Sequence, residues 1–309
     1  MMKKAVLMLI LLVFVIACQQ QPQGQQGSQF YEKFRTGAEG LSISFVSDQP
    51  PSKIFDTDEA FFVLNVENKG AKEVGYPGDR IYLSGFDPRI LTGIPFTGSS
   101  IEKIEGKTST SLVGGRGVAE FKATLSKLPT ESYETPIVAT ACYSYETIAE
   151  ANICLDSDPR SYAQRKVCTP TGLSLGTQGA PVAVSSVDVS AVKGSATLKF
   201  KVRNAGIGDV FRFGGEYLTK CSPYVGLDRF NDLDRVQIFD VRVGAVSITP
   251  SCQLSDGNVR LINNEGIFTC KVDTRQFPAT GAVTTLSVDL RYGYRNSISR
   301  KLEVVRTPI

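Results

Sequence analysis

The chain has 309 residues, of which 42% are hydrophobic, and it carries 34 lysines and arginines against 31 aspartates and glutamates. A net charge of +3, without any concentrated basic run, argues against nucleic acid as a partner because phosphate binding needs a basic face. The chain has no histidine, which excludes histidine general bases, histidine metal ligands and metalloprotease motifs, so we expect a protein that is not an enzyme.

The first 18 residues contain Lys3 and Lys4, an apolar run over 5–17, and the sequence Val-Ile-Ala-Cys that ends at Cys18. The run has 13 residues, fewer than the roughly 18 that a bilayer crossing needs. This pattern resembles a lipoprotein signal peptide with its lipobox. The resemblance implies that residues 1–17 are removed and that lipid on Cys18 anchors the protein to the outer face of the cell membrane. Ordinary secretion and an uncleaved anchor are the alternatives.

The segment after Cys18 is rich in glutamine, glycine, proline and serine, and residues 19–29 contain no large apolar side chain. Such a composition cannot bury enough surface to offset the entropy that ordering costs. We therefore predict that residues 18–35 form a lipidated cysteine followed by a flexible, Gln-rich tether.

From residue 41 onward, segments of alternating apolar and polar residues dominate the sequence. They are rich in valine, isoleucine, phenylalanine, tyrosine and threonine, and glycine, proline, asparagine and aspartate separate them. This pattern is typical of half-buried antiparallel strands, and convincing helical periodicity is nearly absent. We predict an all-β protein with strands at 41–46, 60–67, 118–125, 137–145, 182–189, 196–203, 236–248, 283–294 and 301–305.

The sequence contains an internal repeat with two landmarks in the same order. Residues 66–70 and 202–206 each close a strand with Asn-x-Gly, and residues 143–145 and 292–294 each read Tyr-x-Tyr. We interpret each Tyr-x-Tyr as the end of a strand that enters a hairpin. The repeat predicts two copies of one antiparallel β-sandwich. The predicted domains are sandwich 1 at 36–160, a linker at 161–179 and sandwich 2 at 180–309.

An alternating strand that ends in Asn-x-Gly, in a repeated all-β unit behind a lipobox, resembles the immunoglobulin-like, CARDB-type adhesion domains of archaeal and bacterial surface proteins. The Tyr-x-Tyr hairpin is similar to that of uncharacterised archaeal envelope lipoproteins. The resemblance implies two tandem immunoglobulin-like β-sandwiches at the cell surface. It supplies no catalytic residues.

Six cysteines follow Cys18, an even number behind an export signal, which predicts three disulfides in an oxidising exterior. A zinc site is disfavoured because the chain has neither a Cys-x-x-Cys pair nor a histidine. Six cysteines permit 15 pairings, so the sequence leaves the connectivity open. Our predicted pairs, chosen because two of them flank predicted hairpins, are Cys252–Cys270, Cys142–Cys154 and Cys168–Cys221.

The longest irregular stretches, about 86–117 and 207–235, lie at the same topological place in the two copies. Long loops at one end of a rigid β-sandwich often carry binding residues, so these two are the candidate functional surface, with tolerated insertions as the alternative. In the second loop we predict a contact patch for a glycan or protein, or else aromatic rings that cap the core. The rings of that possible binding loop are Tyr217, Tyr224 and Phe230.

A cluster of oxygen-bearing side chains lies beside these rings, in a stretch of seven residues inside the second loop. Carboxylate and amide oxygens suit Ca²⁺, which tolerates irregular loops. A calcium site is therefore one interpretation, and a solvated acidic turn is the other. The candidate ligands are Asp228, Asn231, Asp232 and Asp234.

The function predicted from these features is that of a lipid-anchored extracytoplasmic protein in envelope structure, adhesion or complex assembly. It would bind other envelope proteins or surface polymers through contact. The alternatives are an accessory lipoprotein that binds a solute or glycan in a concave, aromatic-lined pocket, and a hydrolase with two carboxylates facing each other in a cleft.

Overall fold

The computed structural model of the protein describes residues 34–162 and 165–308. The predicted signal peptide, Cys18 and nearly all of the predicted tether lie outside the described residues. Within the described part, no helix has the length and apolar character that a membrane crossing requires.

The regular secondary structure of the described residues consists almost entirely of strands, as predicted. The elements, in chain order, are β1 (Leu41–Phe45), β2 (Lys53–Phe55), β3 (Glu59–Asn68), β4 (Arg80–Ser84), β5 (Leu91–Thr92), β6 (Ser99–Ser100), β7 (Arg116–Leu125), β8 (Ser132–Leu155), β9 (Leu173–Ser174), β10 (Val182–Val192), β11 (Ser195–Asn204), β12 (Asp209–Phe211), α1 (Gly215–Lys220), β13 (Arg235–Val243), β14 (Val246–Ser247), a 3₁₀ turn (Thr249–Ser251), β15 (Asn258–Arg260), β16 (Glu265–Asp273) and β17 (Ala282–Val305).

The strands form three sheets in which nearly all pairs are antiparallel. The first half of the chain, up to residue 160, supplies a four-stranded sheet in the order β1-β3-β7-β5. Another sheet has the order β16-β11-β10-β9, in which the second half, from residue 180, supplies three strands and the predicted linker at 161–179 supplies β9. A nine-stranded sheet takes strands from both halves, in the order β14-β13-β17-β8-β4-β6, with β2, β12 and β15 also paired to it. Buried side chains from all three sheets form one continuous core.

The centre of the large sheet is a pair of strands of 24 residues each, β8 and β17, which pair along their whole length. At about 3.4 Å per residue, this ribbon is roughly 80 Å long. The β8 strand also pairs with β4 of its own half, whereas the end of β17 pairs with β2 of the other half. The two halves therefore share one sheet.

The prediction that each Tyr-x-Tyr ends a strand and enters a hairpin is wrong. Every odd-numbered residue of β8 from Thr135 to Leu155 is buried, so the inward positions continue well past Tyr145. Thr147, Ala149 and the residues after them keep the period of two that a half-buried strand needs, and the strand therefore continues. The separately predicted strands 283–294 and 301–305 are likewise one strand, β17.

The internal repeat is confirmed by equivalent hydrogen bonds of the tyrosines. The Tyr143 hydroxyl accepts the N–H of Leu41 at 3.0 Å, and the Tyr292 hydroxyl accepts that of Val182 at 3.3 Å. Leu41 begins β1, and Val182 begins the corresponding strand β10. In the antiparallel register Tyr143 pairs with Tyr294 and Tyr292 with Tyr145, so an approximate twofold axis passes between the strands at this point.

The second landmark, Asn-x-Gly, is also used in the same way in both halves. The Asn68 side chain accepts the N–H of Gly70 and donates to the carbonyl of Lys72. Asn204 makes the two equivalent bonds to Gly206 and Gly208. The remaining tyrosine of each pair completes the match, because the N–H of Lys72 donates to Tyr145 and that of Gly208 donates to Tyr294.

The four tyrosines pack against one another at the axis, with neighbouring ring centroids 5.9 to 6.4 Å apart. Each is at most 3% exposed. Burial raises the pKa of Tyr294 to about 12 and raises those of the other three phenols as well. The rings therefore remain neutral and serve as hydrogen-bond acceptors for the backbone of both halves.

All six cysteines of the described part form disulfides, and Cys252–Cys270 is paired as predicted. The other two predicted pairs are wrong, since the bonds are Cys142–Cys221 and Cys154–Cys168. Cys142 and Cys154 lie 12 positions apart in one extended strand, about 40 Å, and no hairpin brings them together. Three disulfides suggest an oxidising, extracytoplasmic location.

We predict that Tyr143→Phe lowers the free energy of unfolding by about 1–3 kcal/mol, because the buried N–H of Leu41 loses its acceptor. Chemical denaturation followed by circular dichroism measures this loss. Tyr162→Phe is the matched control, since Tyr162 is fully exposed, and we expect it to change stability by less than about 0.5 kcal/mol. Equal effects of the two substitutions would contradict the role of the tyrosine cluster.

Candidate functional site

The two long segments predicted as a functional surface meet in the structure. Phe96 of the first segment and Tyr224 of the second are in edge-to-face contact, with ring centroids 4.8 Å apart. The Tyr224 hydroxyl also donates a hydrogen bond to the carbonyl of Leu83 in β4. The long segment of the second half therefore crosses onto the first half.

A buried cluster beneath this contact holds the crossing segment in place. It combines Cys142 of β8 and its disulfide partner Cys221 with apolar side chains from both halves. The ring of Phe211 lies directly on Gly293, where an added Cβ would collide with it. The remaining members of the cluster are Tyr82 and Leu218.

The three predicted contact rings have different surroundings. Tyr217 is half-buried and packs beneath two cations, with the Lys220 Nζ 4.9 Å from its ring centroid. Tyr224 is 41% exposed and Phe230 is 66% exposed. Tyr224 thus belongs to the contact with Phe96, whereas Phe230 lines a separate groove together with Ile262.

The four candidate calcium ligands fold the loop onto itself. Asp228 Oδ1 accepts the N–H groups of Phe230 and Asn231, and Asp232 accepts the N–H of Asp228. Asp234 adopts a left-handed backbone conformation, and burial raises its pKa. Among the described residues, no three or more aspartates, glutamates or cysteines are grouped so that they could hold a metal ion. The structure therefore gives the calcium interpretation no support and agrees with a hydrogen-bonded turn.

A cleft with a volume of about 400 Å³ lies where the two halves meet, on the face of the large sheet opposite the tyrosines. Its floor consists of Ser144, Glu146 and Arg291, which alternate with the inward tyrosines along β8 and β17. One wall is formed by residues of segment 72–77 from the first half, and the other by residues of segment 213–218 from the second. We call this site the junction cleft.

Charged side chains at the junction cleft occur in pairs of opposite sign. Lys72 Nζ lies 3.4 Å from a Glu146 oxygen, and an Arg291 nitrogen lies 3.7 Å from an Asp289 oxygen. The Arg291 guanidinium also lies over the ring of Phe239, 3.2 Å from its centroid. Burial, followed by the negative charge of Glu146, raises the pKa of Asp289 to about 6.

Asp79 lies behind the cleft and fixes one wall to the floor. Its buried carboxylate accepts the N–H groups of Gly75 and Tyr76 in the wall and that of Ser144 in the floor, at 2.9 to 3.0 Å. Burial raises the pKa of this carboxyl even though three hydrogen bonds favour its charged form. The wall residue Tyr76 donates its hydroxyl to Glu73, and burial raises the Tyr76 pKa to about 12.

Glu146 and Asp289 are two neighbouring carboxyls at the junction cleft. They lie on adjacent strands, since Glu146 pairs with Arg291, two residues after Asp289. Glycosidases separate their two carboxyls by about 5 Å or more to fit the sugar between them. Glu146 and Asp289 lie side by side on one face of the sheet and not across a cleft, and the charge of Glu146 adds to burial in raising the pKa of Asp289.

Sequence reasoning missed the residues of the junction cleft. Glu146 and Arg291 directly adjoin the two Tyr-x-Tyr landmarks, on the opposite face of the strands by alternation. This position beside the landmarks was the available signal. Charged residues next to the buried tyrosines lie on the outer face of the sheet, close to the twofold axis. The two walls had no such signal, since they come from segments far apart in the chain.

Comparison with known proteins identifies no relative. No protein-family model matches the chain, and a search of curated proteins finds no similar sequence.

We predict that the difference in the free energy of unfolding between the Asp289→Asn variant and the unsubstituted protein shifts in favour of the variant as pH rises. A carboxyl with a raised pKa holds its proton longer in the folded state, so its contribution to stability falls between about pH 4 and 7. The substitution removes that loss, worth about 1–2 kcal/mol once solvent screening is allowed for.

Urea unfolding at pH 4.5 and at pH 7.5 measures this effect. The control is Asp188→Asn, which removes a carboxyl from an exposed position of β10 and should change stability by less than about 0.5 kcal/mol. A difference between Asp289→Asn and the unsubstituted protein that stays constant with pH would contradict the prediction.

Proposed function

We propose that the protein is a lipid-anchored extracytoplasmic protein that binds other envelope proteins or surface polymers by contact. The three disulfides support an oxidising location outside the cytoplasm. The lipobox at Cys18 supports the anchor. The likeness to immunoglobulin-like, CARDB-type adhesion domains is part of this proposal, and the all-β fold with its internal repeat supports it.

The observation that carries the proposal is the exposed aromatic pair formed by Phe96 and Tyr224, one ring from each half. Phe96 is 53% exposed, and the neighbouring Val225 is 65% exposed. Aromatic side chains are enriched in the cores of protein interfaces, where they fill pockets of the partner.

The aromatic pair is also rigidly held. The Cys142–Cys221 disulfide and the bond from Tyr224 to Leu83 fix the crossing segment before any partner arrives. A surface that is already ordered loses less conformational entropy on binding, so more of the contact energy contributes to affinity.

We predict that Phe96→Glu with Val225→Glu reduces the recovery of partners at least about fivefold, about 1 kcal/mol of binding energy. The measurement is crosslinking in intact cells, with an affinity tag after Ile309, followed by purification and identification of the linked proteins. Val246→Glu with Ile267→Glu is the control. These two side chains are about as exposed as Phe96 and lie outside the two long segments. Equal recovery with both double variants would contradict this contact surface.

We predict that Cys18→Ser releases the protein from the membrane fraction, because serine cannot receive the lipid. Fractionation of cells that express each form, with detection of the tag, measures the distribution. Cys252→Ser with Cys270→Ser is the control, since it also replaces cysteines by serines, here those of a disulfide, but leaves Cys18 in place. Unchanged membrane retention of the Cys18→Ser protein would contradict the anchor.

A second candidate function is that of an accessory protein which binds a solute or glycan. The junction cleft is the observation that favours it, because it is concave, partly aromatic and lined by a few convergent polar groups.

A further inference from the structure

The junction cleft has the size and openness of a small-molecule site. Its volume of about 400 Å³ lies within the roughly 300–1,000 Å³ that is usual for ligand pockets. One wall includes Gly215, where an added Cβ would meet no atom within 4 Å. The wall there is bare backbone facing open space.

We infer that the junction cleft binds a neutral, polyhydroxylated ring, that is, one sugar unit of a dissolved or surface carbohydrate. This inference rests on the second candidate function and names its class of ligand. Three properties of the cleft support it: its aromatic walls, the pairing of its charges and the rigidity of its frame.

The aromatic walls suit a ligand that has an apolar face. Tyr76 stands in one wall and is 47% exposed, while Phe213 stands in the other and is 37% exposed. Aromatic rings left half-exposed in a concave site offer a flat apolar surface for a ligand. The carbon-bound hydrogens of a sugar ring form such a complementary face.

The paired charges of the floor favour a neutral ligand. A cation on Glu146 would compete with Lys72, and an anion on Arg291 would compete with Asp289. In either case a half-buried charge would lose its partner, which is costly. A hydroxyl group both donates and accepts, so a polyhydroxylated ligand satisfies both members of an ion pair without separating them.

The frame of the cleft is ordered without a ligand. The Asp79 carboxylate ties the Tyr76 wall to Ser144 in the floor. Leu218 of the opposite wall is packed in the buried cluster with the Cys142–Cys221 disulfide. Binding therefore needs little reorganisation, which lowers its entropic cost.

The test uses the purified full chain at pH 7.5 and a panel of neutral methyl hexosides, each matched with the cationic hexosamine and the anionic hexuronate of the same ring. Saturation-transfer NMR detects binding, and titration gives the affinities. We expect at least one neutral hexoside to bind about tenfold more tightly than both of its charged analogues.

Substitutions at the wall locate the site. Gly215→Trp fills the cleft and should weaken binding of that hexoside at least about tenfold, whereas Gly215→Ala leaves the space open and should change affinity less than about threefold. Phe213→Ala should weaken binding about fivefold, and it serves as the second variant if the tryptophan protein does not fold. Thermal unfolding of each variant checks its folding.

Several results would overturn the inference: no hexoside binds, a charged analogue binds more tightly than its neutral parent, or Gly215→Trp and Phe213→Ala leave the affinity unchanged. A polysaccharide that binds and is blocked by Gly215→Trp identifies a surface polymer as the source, and binding of the free sugar alone identifies a solute. Tighter binding of a charged analogue would refute the neutral ligand and leave the second candidate function standing, whereas no binding of any sugar would count against both, so the two failures are distinguishable.

Discussion

The register of β8 against β17 is the constraint on which the rest of the structure depends. It brings four tyrosines together at the approximate twofold axis, where their hydroxyls accept backbone N–H groups from both halves. A slip of one residue by either strand would turn both tyrosine rings of that strand from the core to the outer face. A slip of two would keep the rings inside but would move the hydroxyls away from the strands they fix. The tyrosine cluster therefore sets both the pairing of the long strands and the position of each half upon them.

The approximate twofold axis creates two equivalent places on the outer face, and the chain treats them differently. At one of them Gly293 has no side chain, and the ring of Phe211 packs directly on its backbone. At the other, Ser144 occupies the middle of Tyr-x-Tyr and forms part of the cleft floor. The two paired strands thus give the same backbone at both places. Glycine at position 293 accompanies a closed contact with Phe211, and serine at position 144 accompanies the open cleft.

The aromatic pair and the junction cleft are mechanically connected through α1. Leu218 of this helix lines the cleft and also belongs to the buried cluster around the Cys142–Cys221 disulfide. The same segment continues to Tyr224, which lies on the first half. Both proposed binding surfaces therefore depend on one crossing segment, held by one disulfide, and neither can form within one half of the chain alone.

The sequence by itself determined the all-β class, the internal repeat and the oxidised state of the cysteines, because alternation, turn residues and an even cysteine count report on local neighbours. It also predicted the local disulfide Cys252–Cys270. Tertiary structure decided what depends on residues far apart in the chain: the continuation of β8 past Tyr145, the two other disulfides and the junction cleft. A hydrophobic period fixes which face of a strand is buried, but only pairing with a distant strand decides how far that strand runs and what meets across it.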